Sequence, residues 1–185
     1  MKRQRNNKLW DALTFDYPEY KLEVGWFEES KYSDGTPIGG IAAVQNYGAV
    51  INQNVTDKQR AYLHYIDIHL KKETNTLHIV IPPTHFMENC VAKNKAKWQK
   101  LCHEAWTSVL LGNITHDKAM EQIGMAIEGD VAKEIANGNY PPDKDSTVKT
   151  KMNRYADKKT QGDLDKRLVD TGQMLDALSH KVTEL

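Results

Sequence analysis

Cysteine, phenylalanine, net charge and long apolar runs are all scarce in this chain. It holds 2 Cys and 3 Phe in 185 residues. The two cysteines, Cys90 and Cys102, match no zinc or redox spacing. On a single helix they would stand about 18 Å apart, far beyond disulfide reach. Free thiols, buried or half-buried in a reducing compartment, are therefore expected. No stretch approaches the ~20 apolar residues that span a bilayer, so no membrane partner is expected. The N-terminus is basic, but no apolar segment follows it, and no secretory signal is expected. Lys and Arg number 25 against 25 Asp and Glu. With no net charge, no global field points to nucleic acid or to a membrane surface.

Catalytic and metal signatures are also missing. There are 7 His, but no His-Glu-x-x-His, no Cys-x-x-Cys and no clustered carboxylates. His64, His69 and His78 fall on a predicted hairpin, and His64 and His69, five apart, would point to opposite faces of a strand. No Gly-x-Ser-x-Gly elbow is present. Cys90 or Cys102 with His85 or His103 would make a thiol pair, but a cysteine on an apolar helical stripe is more often core. "GTPIGG" lacks the Lys-Ser/Thr ending of a phosphate loop and reads as a turn. The expectation is no catalytic residue, no cofactor and no metal.

Along the chain, residues 1–21 read as an arm with Trp10, Phe15 and Tyr17. "LEVGWF" (22–27) reads as a strand. "SDGTPIGG" is a turn cluster, and "IAAVQNYG" (41–48) a short helix with Ile41, Val44 and Tyr47 on one side and Gly48 as its cap. Residues 49–60 are polar and read as a loop. "YLHYIDIHL" (62–70) alternates like a strand and would pair with "LHIVI" (77–81). Pro82 and Pro83 end that second strand, since neither can donate to a ladder.

A helical stripe then runs from Phe86 to Leu111, through Cys90, Trp98, Leu101, Ala105 and Val109. A second starts after Thr115, carries Met120, Ile123, Ile127, Val131 and Ile135, and ends at Asn137-Gly138, with Gly138 expected in a left-handed cap. A short helix over 145–159, an apolar face at Met174, Leu175 and Leu178, and an edge strand in "HKVTEL" complete the chain. The fold class expected is α+β: a small antiparallel sheet with a projecting hairpin, packed against two long amphipathic helices. The organisation is an arm (1–21) and one domain (22–185), with an insertion or hairpin at about 49–81.

Three basic runs stand out: Lys2, Arg3, Arg5 and Lys8; Lys93, Lys95, Lys97 and Lys100; and Lys149, Lys151, Arg154, Lys158 and Lys159. Basic residues beside Trp98 or Tyr155 suit a nucleic-acid backbone. The plainer reading is the solvated face of amphipathic helices. Trp10 and the "GWF" aromatics read equally as interface anchors or as core.

Several blocks, in order, resemble the tail-completion or neck proteins of tailed bacteriophages, the head–tail joining and minor tail components. They are "VGWFEESKYSDGTPIGGIAAVQNYGA", "IPPTHFMEN", "GNYPPDKDSTVKTKM" and "LVDTGQMLDALSHKV", and they span most of residues 22–182. The chain departs from the family pattern at Thr84-His85, where Arg is usual, and at Asn46, where many members are acidic.

The resemblance implies a structural virion protein rather than an enzyme. It would form a ring, sixfold, that completes the neck or tail end and keeps the DNA channel. The implied partners are other copies of itself, neighbouring proteins such as the connector or adaptor and the tail terminator, and transiently the packaged DNA. The implied location is the virion neck or tail, and the host cytoplasm during assembly. On this reading Trp10, Phe15, Tyr17, Tyr62, Tyr65, Ile66 and Ile68 are interface candidates. Pro82, Pro83, Phe86 and Met87 form a structural corner that steadies the long helix and holds the hairpin out towards a neighbour. Lys149, Lys151, Arg154, Lys158 and Lys159 are candidates for facing DNA. The alternatives are a nucleic-acid-binding accessory protein using the lysine-rich helix and a small hydrolase.

Overall fold

The computed structural model describes residues 19–155, 167–168 and 172–185. Among these the fold is α+β, with six helices and two antiparallel sheets of two strands each. The strands are β1 (Tyr20–Gly25), β2 (Ala49–Asn54), β3 (Thr76–Ile81) and β4 (Ser179–Glu184). The helices are α1 (Ile38–Tyr47), α2 (Asp57–Tyr65), α3 (Phe86–Leu110), α4 (His116–Asn137), α5 (Asp145–Tyr155) and the short α6 (Gln173–Asp176). No helix among the described residues is long and apolar enough to cross a membrane. The chain divides into two compact units. One comprises the residues up to Phe27, Met87–Glu134 and Leu178–Leu185; the other comprises Glu28–Phe86 and Ile135–Ala177.

The first unit is built on the long helices and the chain's two end strands. β1 and β4 pair antiparallel, with Leu22 opposite Val182. Their inner side chains meet the helical stripe. Ala105 and Val109 of α3 and Ala119, Met120 and Ile123 of α4 form the core, flanked by Tyr20, Leu22, Trp106 and Val182. Burial of this apolar surface, at roughly 25 cal/mol per Å², is what holds an otherwise marginal two-stranded sheet to the helices. α3 stops at Gly112, which takes a left-handed conformation (φ +73°). α4 restarts where the Thr115 hydroxyl accepts the Lys118 N–H at 3.4 Å.

The second unit corrects several expectations. Residues 62–70 are not a strand. Asp57–Tyr65 is helical, fixed by a capping box in which the Thr56 hydroxyl accepts from Gln59 N and Gln59 Oε1 accepts from Thr56 N. The partner of β3 is instead β2, within the stretch read as a polar loop; Val50 lies opposite Val80 and Ile51 opposite Ile79. The hairpin therefore exists, but α2 and its loops lie between its strands. On α1 the buried positions are Ile38, Ala42 and Asn46, while Tyr47 is exposed. Gly138 is not left-handed, because the glycines with positive φ are Gly25, Gly35, Gly48, Gly112 and Gly172. A Cβ at Gly138 would instead meet the far end of the Tyr140 ring, which would have to move aside.

Candidate functional site

The β2–β3 ribbon carries the most conspicuous surface. Strand alternation puts Val50 and Val80 on one face and Ile51 and Ile79 on the other. All four are exposed, at 61%, 41%, 40% and 38% respectively. A ribbon with apolar pairs on both faces has no side to turn entirely to water. Its edges differ. Lys144 Nζ reaches the Val80 carbonyl at 3.4 Å, while β2 pairs only with β3 among the described residues. These four residues were not among the sequence-based interface candidates. Their signal was present, since "VI" and "IV" occupy matching positions of two runs. It was hidden by the polar "NQN" that follows the first.

The ribbon is anchored at the Pro82–Phe86 corner. A helix ends with carbonyls that lack intrahelical partners, and this corner supplies donors for α1. Thr84 donates its N–H (3.1 Å) and its hydroxyl (2.8 Å) to the Gln45 carbonyl, and His85 N–H donates to the Asn46 carbonyl at 3.0 Å. His85 takes a left-handed backbone to do so (φ +52°). Thr84, His85 and Asn46, the points of departure from the resembled family, thus form one local tie. Gly48 completes it. Its φ is +77°, and an added Cβ would stand 2.7 Å from the Ile81 carbonyl and 2.9 Å from Pro83 N. Phe86 is fully buried, Met87 is half-buried, and Pro82 and Pro83 are exposed.

The remaining interface candidates scatter. Trp10, Phe15 and Tyr17 lie outside the described residues. Tyr62 and Tyr65 are exposed, but on helix α2. Ile66 is only 7% exposed and cannot serve as a surface anchor, and Ile68 is half-buried. His64 and His69, expected on opposite faces of a strand, come together with their Nδ1 atoms 2.8 Å apart. The helix ends at Tyr65 and the chain turns through Asp67 with φ +60°, which brings the second ring back. No group of three or more metal-ligating side chains forms among the described residues.

The 149–159 run is not a bare basic face. Lys149 donates to Asp67 Oδ2 at 3.2 Å. Lys151 is 7% exposed, and its Nζ lies 2.7 Å from Asp143 Oδ2. That is ion-pair range, but the direction is unsuited to a hydrogen bond. Arg154 is exposed. Lys158 and Lys159 lie outside the described residues. Lys151 and Arg154 line a cleft of about 600 Å³ together with Gln45, Asp143, Arg167 and Met174.

The other lysine run is partly neutralised as well. On α3, Lys93 pairs with Glu134 at 2.7 Å and Lys97 with Asp130 at 2.6 Å, and Trp98 Nε1 donates to Asp130 at 2.8 Å. Both carboxylates are buried on α4. Burial alone would raise the Asp130 carboxyl; the bonds from Lys97 and Trp98 outweigh it and hold it below the usual carboxylate value. Cys90 is fully buried, and burial pushes its thiol up, away from the thiolate a nucleophile needs. No protein-family model, no curated protein and no solved structure matches this chain.

Proposed function

We propose that the protein is a structural component of a tailed-phage neck or tail end, assembling as a ring of identical subunits through its β2–β3 ribbon. The observation that carries the assembly reading is the exposure of Val50, Val80, Ile51 and Ile79 on both faces of one ribbon. Two-stranded ribbons are marginal alone. Exposed apolar pairs, and a β2 edge with no strand partner among the described residues, suit addition of a strand from a second copy, where backbone hydrogen bonds supply affinity. Such a head-to-tail contact closes into a ring when its rotation permits. The phage neck as the location rests on the ordered blocks that resemble tail-completion proteins. The reading involves no catalytic step and no cofactor. It leaves Lys93, Lys97, Lys149 and Lys151 as ion-pair partners rather than a nucleic-acid surface.

The test is native mass and negative-stain imaging of the purified protein. A closed ring is expected. The double substitution Val50→Lys with Ile79→Lys should give a folded monomer, because it places charge on both faces of the ribbon. A wild-type monomer with salt-sensitive DNA affinity would instead favour the nucleic-acid accessory. In infected cells, loss of the protein should leave filled heads and tails unjoined, and normal joining without it would remove the neck assignment. The arm expected over 1–21 overlaps β1, which begins at Tyr20, so the deletion is confined to residues 1–18; it should give the same unjoined particles while the protein remains folded.

A further inference from the structure

Ring assembly through the β2–β3 ribbon makes no use of the cleft of the second unit. Its volume, about 600 Å³, lies within the roughly 300–1,000 Å³ typical of small-molecule sites. Two side chains in its wall are left incomplete. Arg167 is only 8% exposed. A guanidinium carries five N–H donors in a rigid fork. One Nη2 donor is taken by the Pro82 carbonyl, and the others meet no acceptor among the described residues. The nearby carboxylate of Asp143 acts on Arg167 only through its charge, and lies against Lys151. Gln45 is the second. Its backbone carbonyl is occupied by Thr84, but its side-chain Oε1 is buried without a partner among the described residues.

Buried polar groups left unpaired carry the full cost of desolvation. Donors fanned from a guanidinium match the oxygens of a planar or tetrahedral oxyanion better than any neutral group does. We propose that this cleft binds a small ligand bearing an oxyanion, a carboxylate or a phosphate, held by Arg167, with a donor on the ligand meeting Gln45. The site does not rest on the neck reading and would hold equally in a monomer.

The test is an NMR titration of the full-length protein with inorganic phosphate and, separately, with acetate. Saturable shifts centred on Arg167, Arg154 and the Gln45 side chain are expected. Response to phosphate alone identifies a phosphate ligand, and response to acetate alone a carboxylate. Arg167→Gln should weaken binding at least about tenfold. Because that change also removes the tie to Pro82, Thr147→Trp provides a second route. Thr147 is exposed at the cleft wall, so the indole fills the space and leaves Arg167 in place; the same loss is expected. Absence of saturable shifts with either anion overturns the proposal. So does undiminished binding by Arg167→Gln or, should that variant not fold, by Thr147→Trp.

Discussion

His180 Nδ1 lies 2.6 Å from Glu128 Oε2, and its Nε2 lies 2.8 Å from Glu121 Oε2. Both ring nitrogens donate only in the imidazolium form. The bond to Glu128 and then that to Glu121 raise His180 above the ordinary imidazole value, against the opposing effect of burial. Gly124 makes the arrangement possible, because the imidazole occupies the space a Cβ would need. The clasp ties β4 to α4, and Tyr20, donating to Asp117 at 2.8 Å, ties β1 to the same helix.

A group whose folded pKa is raised adds stability that is complete below its unfolded pKa, about 6.5 for His. That stability is lost as pH rises through the folded value. The melting temperature should therefore fall as pH is raised through neutrality, and His180→Gln should flatten that slope. The substitution should cost about 1–3 kcal/mol at pH 6, or roughly 2–4 °C for each kcal/mol. Parallel pH dependence in the wild type and the variant, read by circular dichroism melts, would sink this account.

Asp130 predicts the opposite limb. Its folded pKa is lowered, so its contribution is present above the unfolded value of about 3.9 and lost as pH falls through the folded value. Lys97→Met leaves the buried carboxylate with only the Trp98 bond and the charge of Lys133 to hold it down. Lys97 is 56% exposed, so the loss expected is about 1–3 kcal/mol, below the range for breaking a fully buried pair. Urea unfolding at pH 7 and pH 3 checks it: the difference between wild type and variant should shrink at the lower pH.

Phe86→Ala should destabilise by about 3–5 kcal/mol, because the side chain is fully buried. Met152→Ala, at an exposed position on α5, should stay within about 0.5 kcal/mol. Equal unfolding midpoints for the two would show that the corner does not depend on Phe86.

Gly48 and Gly112 separate conformational strain from crowding. Both have left-handed φ, but a Cβ at Gly112 meets open space, while one at Gly48 meets Ile81 and Pro83. Gly112→Ala should cost about 1–2 kcal/mol. Gly48→Ala should cost clearly more. Similar thermal shifts for the two would mean that the approach of α1's end to the corner is not tight.

Local patterns carried the sequence reading where the governing bonds are local. The stripes from Phe86 and after Thr115 are helices α3 and α4 because helical hydrogen bonds join residues four apart, and period-3.6 apolar spacing reports the face they bury. The Pro82-Pro83 stop and the Gly48 cap were legible for the same reason. The free thiols of Cys90 and Cys102 followed from their spacing, and a closing strand was expected, although its partner β1 lies at the far end of the sequence. Local evidence also misled where two signals competed. "YLHYIDIHL" alternates like a strand, yet Thr56 and Gln59 begin a capping box six residues earlier, and the helix it starts runs through Tyr65.

Pairings between residues distant in sequence were decided by the tertiary structure alone. Nothing near "AVINQN" shows that it meets "TLHIVI" across more than twenty residues. Nothing near Lys97 points to Asp130, near His180 to Glu121 and Glu128, or near Gln45 and Arg167 to a common cleft. A single sequence records what each residue prefers among its neighbours, and it fixed the elements of this protein to that extent. Which buried charge finds which partner depends on how the folded chain excludes water around both, and that is set only once the elements have packed.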